Sequence, residues 1–209
     1  GAEGDAVGEV CFNTAMTGYQ ESMTDPSYAG QIITFTFPHI GNVGTNPEDM
    51  ENTNPHALGC IVRQDITDPA NFRSTQHYDQ WLKVNGRIGL SGVDTRALTR
   101  LIRMQGAPNG VIAHNAQGEF DLDALRAKAA NWPGLEGMDL AKTVSTTQQY
   151  DWHDGLWSLE NGFAEGQGDD DSRPHVVAID YGAKRNILRH LVNAGARVTV
   201  VPGEASYED

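Results

Sequence analysis

His175-Val176-Val177-Ala178-Ile179-Asp180, then Ala183 to Ala194 with Ile187, Leu188, Leu191 and Val192 at helical spacing, then Arg197 to Val201: these residues decide the fold class. The two outer segments are apolar and β-branched along their length, as strands of a parallel sheet read when helices cover both faces. A strand, a helix and a second strand of this kind form a β-α-β unit. Two strands do not hold a sheet alone, since three or more are needed. The sequence given stops at Asp209, where a following helix is due. The reading is a first domain followed by the opening of a doubly wound domain whose remainder lies outside these residues.

Within that unit, Asp180-Tyr181-Gly182-Ala183-Lys184 is the strand-to-helix turn. Ligands of open α/β sheets bind outside the carboxyl ends of the strands, and a helix N-terminus favours an anionic group such as a substrate carboxylate. Lys184 adds positive charge there. A glycine turn with a solvated lysine explains the same residues without a ligand. The turn lacks both the G-x-G-x-x-G and the G-x-x-x-x-G-K-[ST] spacing, so dinucleotide and P-loop readings fail.

Working back towards the N-terminus, Asn161 to Pro174 is rich in Gly and Asp with almost no apolar side chain, and reads as a linker. The predicted division is therefore 1–150, a linker over 151–174, and 175–209. The first part is β-rich. Thr34-Phe35-Thr36-Phe37 alternates polar and apolar residues, which predicts a half-buried strand, and Val10 to Thr14, Leu58 to Val62, Ile88 to Val93 and Val111 to Ala113 predict others. Asp94 caps a predicted helix that turns Leu98, Leu101 and Ile102 inward and stops at Gly106. Asp121 caps another, with Leu122, Leu125 and Ala129 inward, ending before Pro133. On the first of these helices Arg96, Arg100 and Arg103 form one basic stripe, which reads as a solvated face or as a grip for an acidic partner.

The chain has 209 residues, 39% of them apolar, with a formal charge of −13 from 15 basic and 28 acidic side chains. That charge repels a phosphate backbone, which excludes nucleic acid as the expected partner. Residues 1–62 carry eight acids and neither Lys nor Arg. No apolar run approaches the ~18 residues that span a bilayer, so no membrane partner is expected. Cys11 and Cys60 stand in strand-like apolar runs, which argues for buried thiols in a reducing cytoplasm, and their spacing does not resemble a zinc site. No metal ligand set is expected. Ser27, in Asp25-Pro26-Ser27-Tyr28, either closes its own turn or offers its hydroxyl to a ligand. It has no neighbouring His and no G-x-S-x-G context, so a serine nucleophile is not supported. His39 opens a Gly- and Asn-rich loop, Pro38 to Gly44, while the other histidines, His77 among them, show no ligand spacing.

Several segments together resemble one family. They are Gly8-Glu9-Val10, Phe12-Asn13-Thr14, Met16-Thr17-Gly18-Tyr19-Gln20-Glu21, Thr24-Asp25-Pro26-Ser27-Tyr28, Pro38-His39-Ile40-Gly41-Asn42-Val43-Gly44, Asp94-Thr95-Arg96 with Leu98-Thr99-Arg100, Gly137-Met138-Asp139-Leu140-Ala141 and Gly182-Ala183-Lys184-Arg185-Asn186-Ile187. In this order they resemble the small, glutamine amidotransferase subunit of carbamoyl phosphate synthetase, over residues 8 to the end.

The resemblance implies a mixed α/β chain: an N-terminal swivelling β/β/α domain, then the first β-α-β unit of a flavodoxin-like class I glutamine amidotransferase domain, incomplete at both ends. It implies that a cysteine thiolate, activated by a His paired with a Glu, hydrolyses glutamine. The ammonia then passes to a large subunit, which uses ATP and Mg²⁺ to make carbamoyl phosphate from hydrogencarbonate for arginine and pyrimidine synthesis in the cytoplasm. A thiolate suits this chemistry because it is a strong nucleophile once its pKa is lowered. Neither Cys11 nor Cys60 matches the family nucleophile, so no catalytic residue is assigned, no cofactor is expected in this chain, and the 209 residues alone are expected to be inactive. Ser27 and Lys184 correspond to residues at the bound glutamine. A heterodimer with the large subunit is expected. A non-catalytic docking module for that subunit is the competing reading.

Overall fold

The structure is a computed structural model that describes residues 1–165 and 172–206. It divides into two units, Gly1–Met138 and Asp139–Asp209. Both mix α and β structure.

In the first unit, strands β1 (Gly4–Asn13), β2 (Gln31–Phe35), β3 (Gly59–Ile61), β4 (Ile88–Leu90) and β5 (Asn109–His114) form one sheet in the order β4-β3-β2-β1-β5. The first four run parallel, and β5 closes the other edge antiparallel to β1, with Gly4 opposite His114 and Glu9 opposite Asn109. β2 lies at the centre and is buried on both faces, not half-buried as its alternation predicts. Ile32 joins Val10, Ile61, Ile88 and Ile112 on one side, and Ile33 and Phe35 join Tyr19, Met23 and Tyr78 on the other. Thr34, the polar residue of the alternation, is fully buried, because helices cover both sides of the sheet.

The helix α3 (Thr95–Gln105) packs on the first of these faces through Ile102 and Leu98, with the Asp94 carboxylate accepting from the Ala97 amide and Gly106 ending it at φ 90°, as its sequence predicts, but Leu101, predicted inward, lies outside this contact and is exposed. On the other face lie α1 (Tyr19–Thr24) and α2 (Tyr78–Val84), which the period arguments miss because each is barely two turns long. α2 is capped by His77, whose Nδ1 accepts from the Asp79 amide. The helix α4 (Leu122–Asn131) is capped by Asp121 as expected, but Leu122 at its first position is exposed.

In the second unit, α5 (Leu140–Val144) precedes β6 (Tyr150–Trp152), a hairpin of β7 (Asp154–Ser158) and β8 (Gly162–Glu165), and then β9 (His175–Asp180), α6 (Arg185–Asn193) and β10 (Arg197–Pro202). β9 and β10 are parallel, and β6 lies antiparallel on the far side of β10, giving the order β6-β10-β9. The β-α-β unit is thus the predicted one. The boundary is drawn elsewhere than at 150, because β6 supplies the third strand that a two-stranded ladder lacks and Trp152 packs on the Leu188, Val198 and Val200 core. The expected linker over 151–174 is largely paired strand as far as Glu165, and its residues 166–171 lie outside the described residues. Nor is β9 covered on both faces: Val177 and Ile179 are 55% and 53% exposed, and on α6 Leu188 is buried while Ile187 is 50% exposed.

Candidate functional site

The Ser27 turn is built from its neighbours. Asn13, the last residue of β1, donates from Nδ2 to Ser22 Oγ and to the Tyr28 hydroxyl, each at 3.1 Å, which ties the strand end to both sides of the turn. Pro26 to Tyr28 form one turn of 3-10 helix, and the Asp25 carboxylate accepts from the Ser27 amide at 2.9 Å. Capping is therefore done by Asp25. Ser27 itself is exposed, and its hydroxyl makes no hydrogen bond among the described residues. Of the two roles open to it, closing its own turn is the one the geometry removes.

The loop after β2 holds this turn from behind. Tyr19 donates to the Gly44 carbonyl at 2.6 Å, Gln20 exchanges two hydrogen bonds with the Asn46 backbone at 2.6 and 2.9 Å, and the Glu51 amide donates to Thr24 Oγ1 at 2.9 Å. Gly44 has φ 71°, and a Cβ there would meet Ser74 Oγ at 2.0 Å and Cβ at 2.6 Å, so the loop needs glycine at this place. His39, the candidate at the loop's start, is exposed beside Phe37. Against α1 the same loop brings a group of carboxylates. Arg73 donates to Glu48 and Asp49 at 3.1 and 2.6 Å. Burial pushes the Glu21 carboxyl up to about 7, with Asp49 and Glu51 adding to the rise. Glu21 closes one of the segments that carry the family resemblance, but no periodicity there marks its burial.

Both thiols are poor nucleophiles where they stand. Burial pushes Cys60 and Cys11 each up to about 11, Cys60 being fully buried where the Tyr78 hydroxyl donates to its sulfur, and Cys11 raised further by Glu9. Both are free of disulfides. Among the described residues no group of three or more His, Cys, Asp or Glu could hold a metal ion, and no helix is long and apolar enough to cross a membrane.

In the second unit the strand-to-helix turn sits where expected, at the carboxyl ends of β9 and β10, but its amides are already engaged. Asp180, buried, accepts from the Gly182 and Ala183 amides at 2.9 Å on one oxygen and from the Thr146 amide at 2.7 Å on the other. An internal carboxylate thus accepts from the first amides of the turn. The Asp-x-Gly spacing of Asp180 and Gly182 carries the signal for such a side-chain turn. Lys184 is the N-cap residue of α6, half-buried, with no capping bond from its side chain. Beside the turn lies a cavity of ≈ 370 Å³ lined by Lys142, Ser145, Thr146, Tyr181 and Glu204 among others, with Lys142 paired to Glu204 at 2.6 Å. Ser27 belongs to the first unit and Lys184 to the second.

A family model described as carbamoyl-phosphate synthase small chain, CPSase domain, matches residues 1–112. The chain belongs to the carbamoyl-phosphate synthase small chain family. Its likeness extends beyond the matched part. The carbamoyl phosphate synthase small chain of Zymomonas mobilis is 63% identical over 209 residues, covering 100% of this chain and 55% of the relative. The small chains of Bradyrhizobium diazoefficiens and Caulobacter vibrioides are 61% and 58% identical over 213 residues, covering 100% of this chain and 53% and 54% of their own length. The chain thus spans about half the length of the curated relatives it matches. The part that matches the carbamoyl-phosphate synthase small chain model contains the Ser27 turn, the loop behind it and all five strands of the first sheet except the end of β5.

Proposed function

We infer that the chain is part of the amidotransferase subunit of a glutamine-dependent carbamoyl phosphate synthase. In this reading glutamine is hydrolysed to glutamate and ammonia, and the ammonia is passed to a large subunit. There it is joined to hydrogencarbonate with ATP and Mg²⁺, and carbamoyl phosphate feeds arginine and pyrimidine synthesis in the cytoplasm. The observation that carries the reading is the likeness, along the whole chain, to proteins named as small chains of this synthase. Cys11 and Cys60 do not supply the attacking sulfur, since a thiol held near 11 is almost wholly protonated at neutral pH.

Ser27 and Lys184 are assigned to glutamine binding. Ser27 offers an exposed hydroxyl that its own turn does not use, so it can donate to or accept from the substrate's polar groups. Its role is positioning. Ser27→Ala in the complete small chain is expected to raise the glutamine KM about fivefold, the equivalent of ~1 kcal/mol for one net hydrogen bond, with a smaller change in kcat. Steady-state kinetics of ammonia release checks this, and an unaltered KM removes Ser27 from the site.

A further inference from the structure

Helix α3 carries two exposed stripes side by side. Arg96, Arg100 and Arg103 lie at i, i+4 and i+7, and Ala97, Leu101 and Met104 repeat the same spacing one residue further round, so an apolar strip borders a basic one. The helix is anchored from the opposite side by Thr95 and Ile102. Leu101 is 45% exposed and Met104 81%. None of the three arginines makes an ion pair among the described residues, whereas Arg63, Arg73 and Arg126 each have an acidic partner.

In a chain of charge −13 this is a cationic patch left uncompensated beside apolar surface left uncovered. Like charges three and four residues apart on a helix repel, and the cost is relieved when an acidic surface is brought against them. A polyanion such as nucleic acid fits poorly, because it leaves Leu101 and Met104 in water and is repelled by the rest of the chain. A second copy is disfavoured by the mutual repulsion of two chains each at −13. We propose that this face of α3 is where the large chain docks, through an acidic patch with an apolar centre. The proposal rests on the small-subunit reading above and adds the surface and the chemistry of its partner.

The test uses the complete small chain and its large chain, with the affinity measured by titration calorimetry at two salt concentrations. Reversing two charges, Arg100→Glu with Arg103→Glu, is expected to weaken association on the order of 100-fold and to flatten its salt dependence, and Leu101→Ala with Met104→Ala to weaken it about 10-fold. Arg126→Glu, on α4, is expected to keep native affinity. All three variants are exposed at the altered positions and are expected to keep the native thermal midpoint. Native affinity in the Arg100/Arg103 variant overturns the proposal, as does an equal loss in Arg126→Glu. A fall in the variant's thermal midpoint comparable to a core substitution also overturns it, by assigning the stripe to a contact within the small chain. A change in self-association in place of large-chain affinity overturns it in favour of a second copy. Failure of the native small chain to bind the large chain removes the small-subunit reading itself.

Discussion

Glu21 shows how a single residue can carry a pH dependence that its place in the sequence does not announce. Its carboxyl titrates at 4.5 when unperturbed and at about 7 in the folded chain, chiefly because burial penalises the charged form. Between those values the folded chain holds a proton that the unfolded chain has lost, so stability falls as pH rises through the window and the full cost is present above 7. Glu21→Gln is expected to stabilise the chain above pH 7 by on the order of 1 to 2 kcal/mol, since the side chain is only half-buried and water screens part of the penalty. Below pH 4.5 the gain should vanish. Urea unfolding on both sides of the window measures it, and a gain that does not vary with pH would refute the assignment. At this scale Ser27 is legible as a hydroxyl in a proline turn with two roles open to it, but its freedom is not. Freedom depends on Asp25 taking over the amide, and either residue could have done so on sequence grounds.

At the scale of the element, the turn between β9 and α6 is locked by one side chain. Asp180→Ala would leave the amides of Gly182, Ala183 and Thr146 without their acceptor in a partly buried place. Such a loss is expected to cost about 3 kcal/mol in the second unit. Hydrogen exchange of those three amides should rise together, and unchanged protection would show that the carboxylate does not hold the turn. The elements that the sequence made legible are those with a full period and chemical punctuation: α3 between Asp94 and Gly106, α4 after Asp121, and β9-α6-β10. Those it hid are short or lean on partners far along the chain. α1 and α2 offer too few turns for a periodicity, and α2 starts on a histidine cap. The β7–β8 hairpin pairs through an irregular register and fully buries only Gly155 among its described residues, so its composition resembles a linker.

For the whole molecule, the placement of the two thiols makes a chemical prediction. A diazo-ketone analogue of glutamine, which alkylates amidotransferase thiolates, should leave Cys11 and Cys60 unmodified in the folded 209-residue chain, and the chain should release no ammonium from glutamine at an enzymatic rate. Mass spectrometry after labelling checks the first and a coupled ammonium assay the second. Stoichiometric labelling of either thiol would undo the reading of both as inert core residues.

The antiparallel ladder that joins β1 to β5 pairs Gly4 with His114. During synthesis, at ~5–20 residues per second, roughly 5 to 20 s separate the appearance of the two partners. For that interval Ala6, Val7 and the neighbouring residues of the first strand have one edge without its mate, so the nascent chain carries a sticky border that only the translation of β5 can seal. Chaperone binding and sensitivity to pausing ahead of residue 114 are the expected consequences of that single pairing.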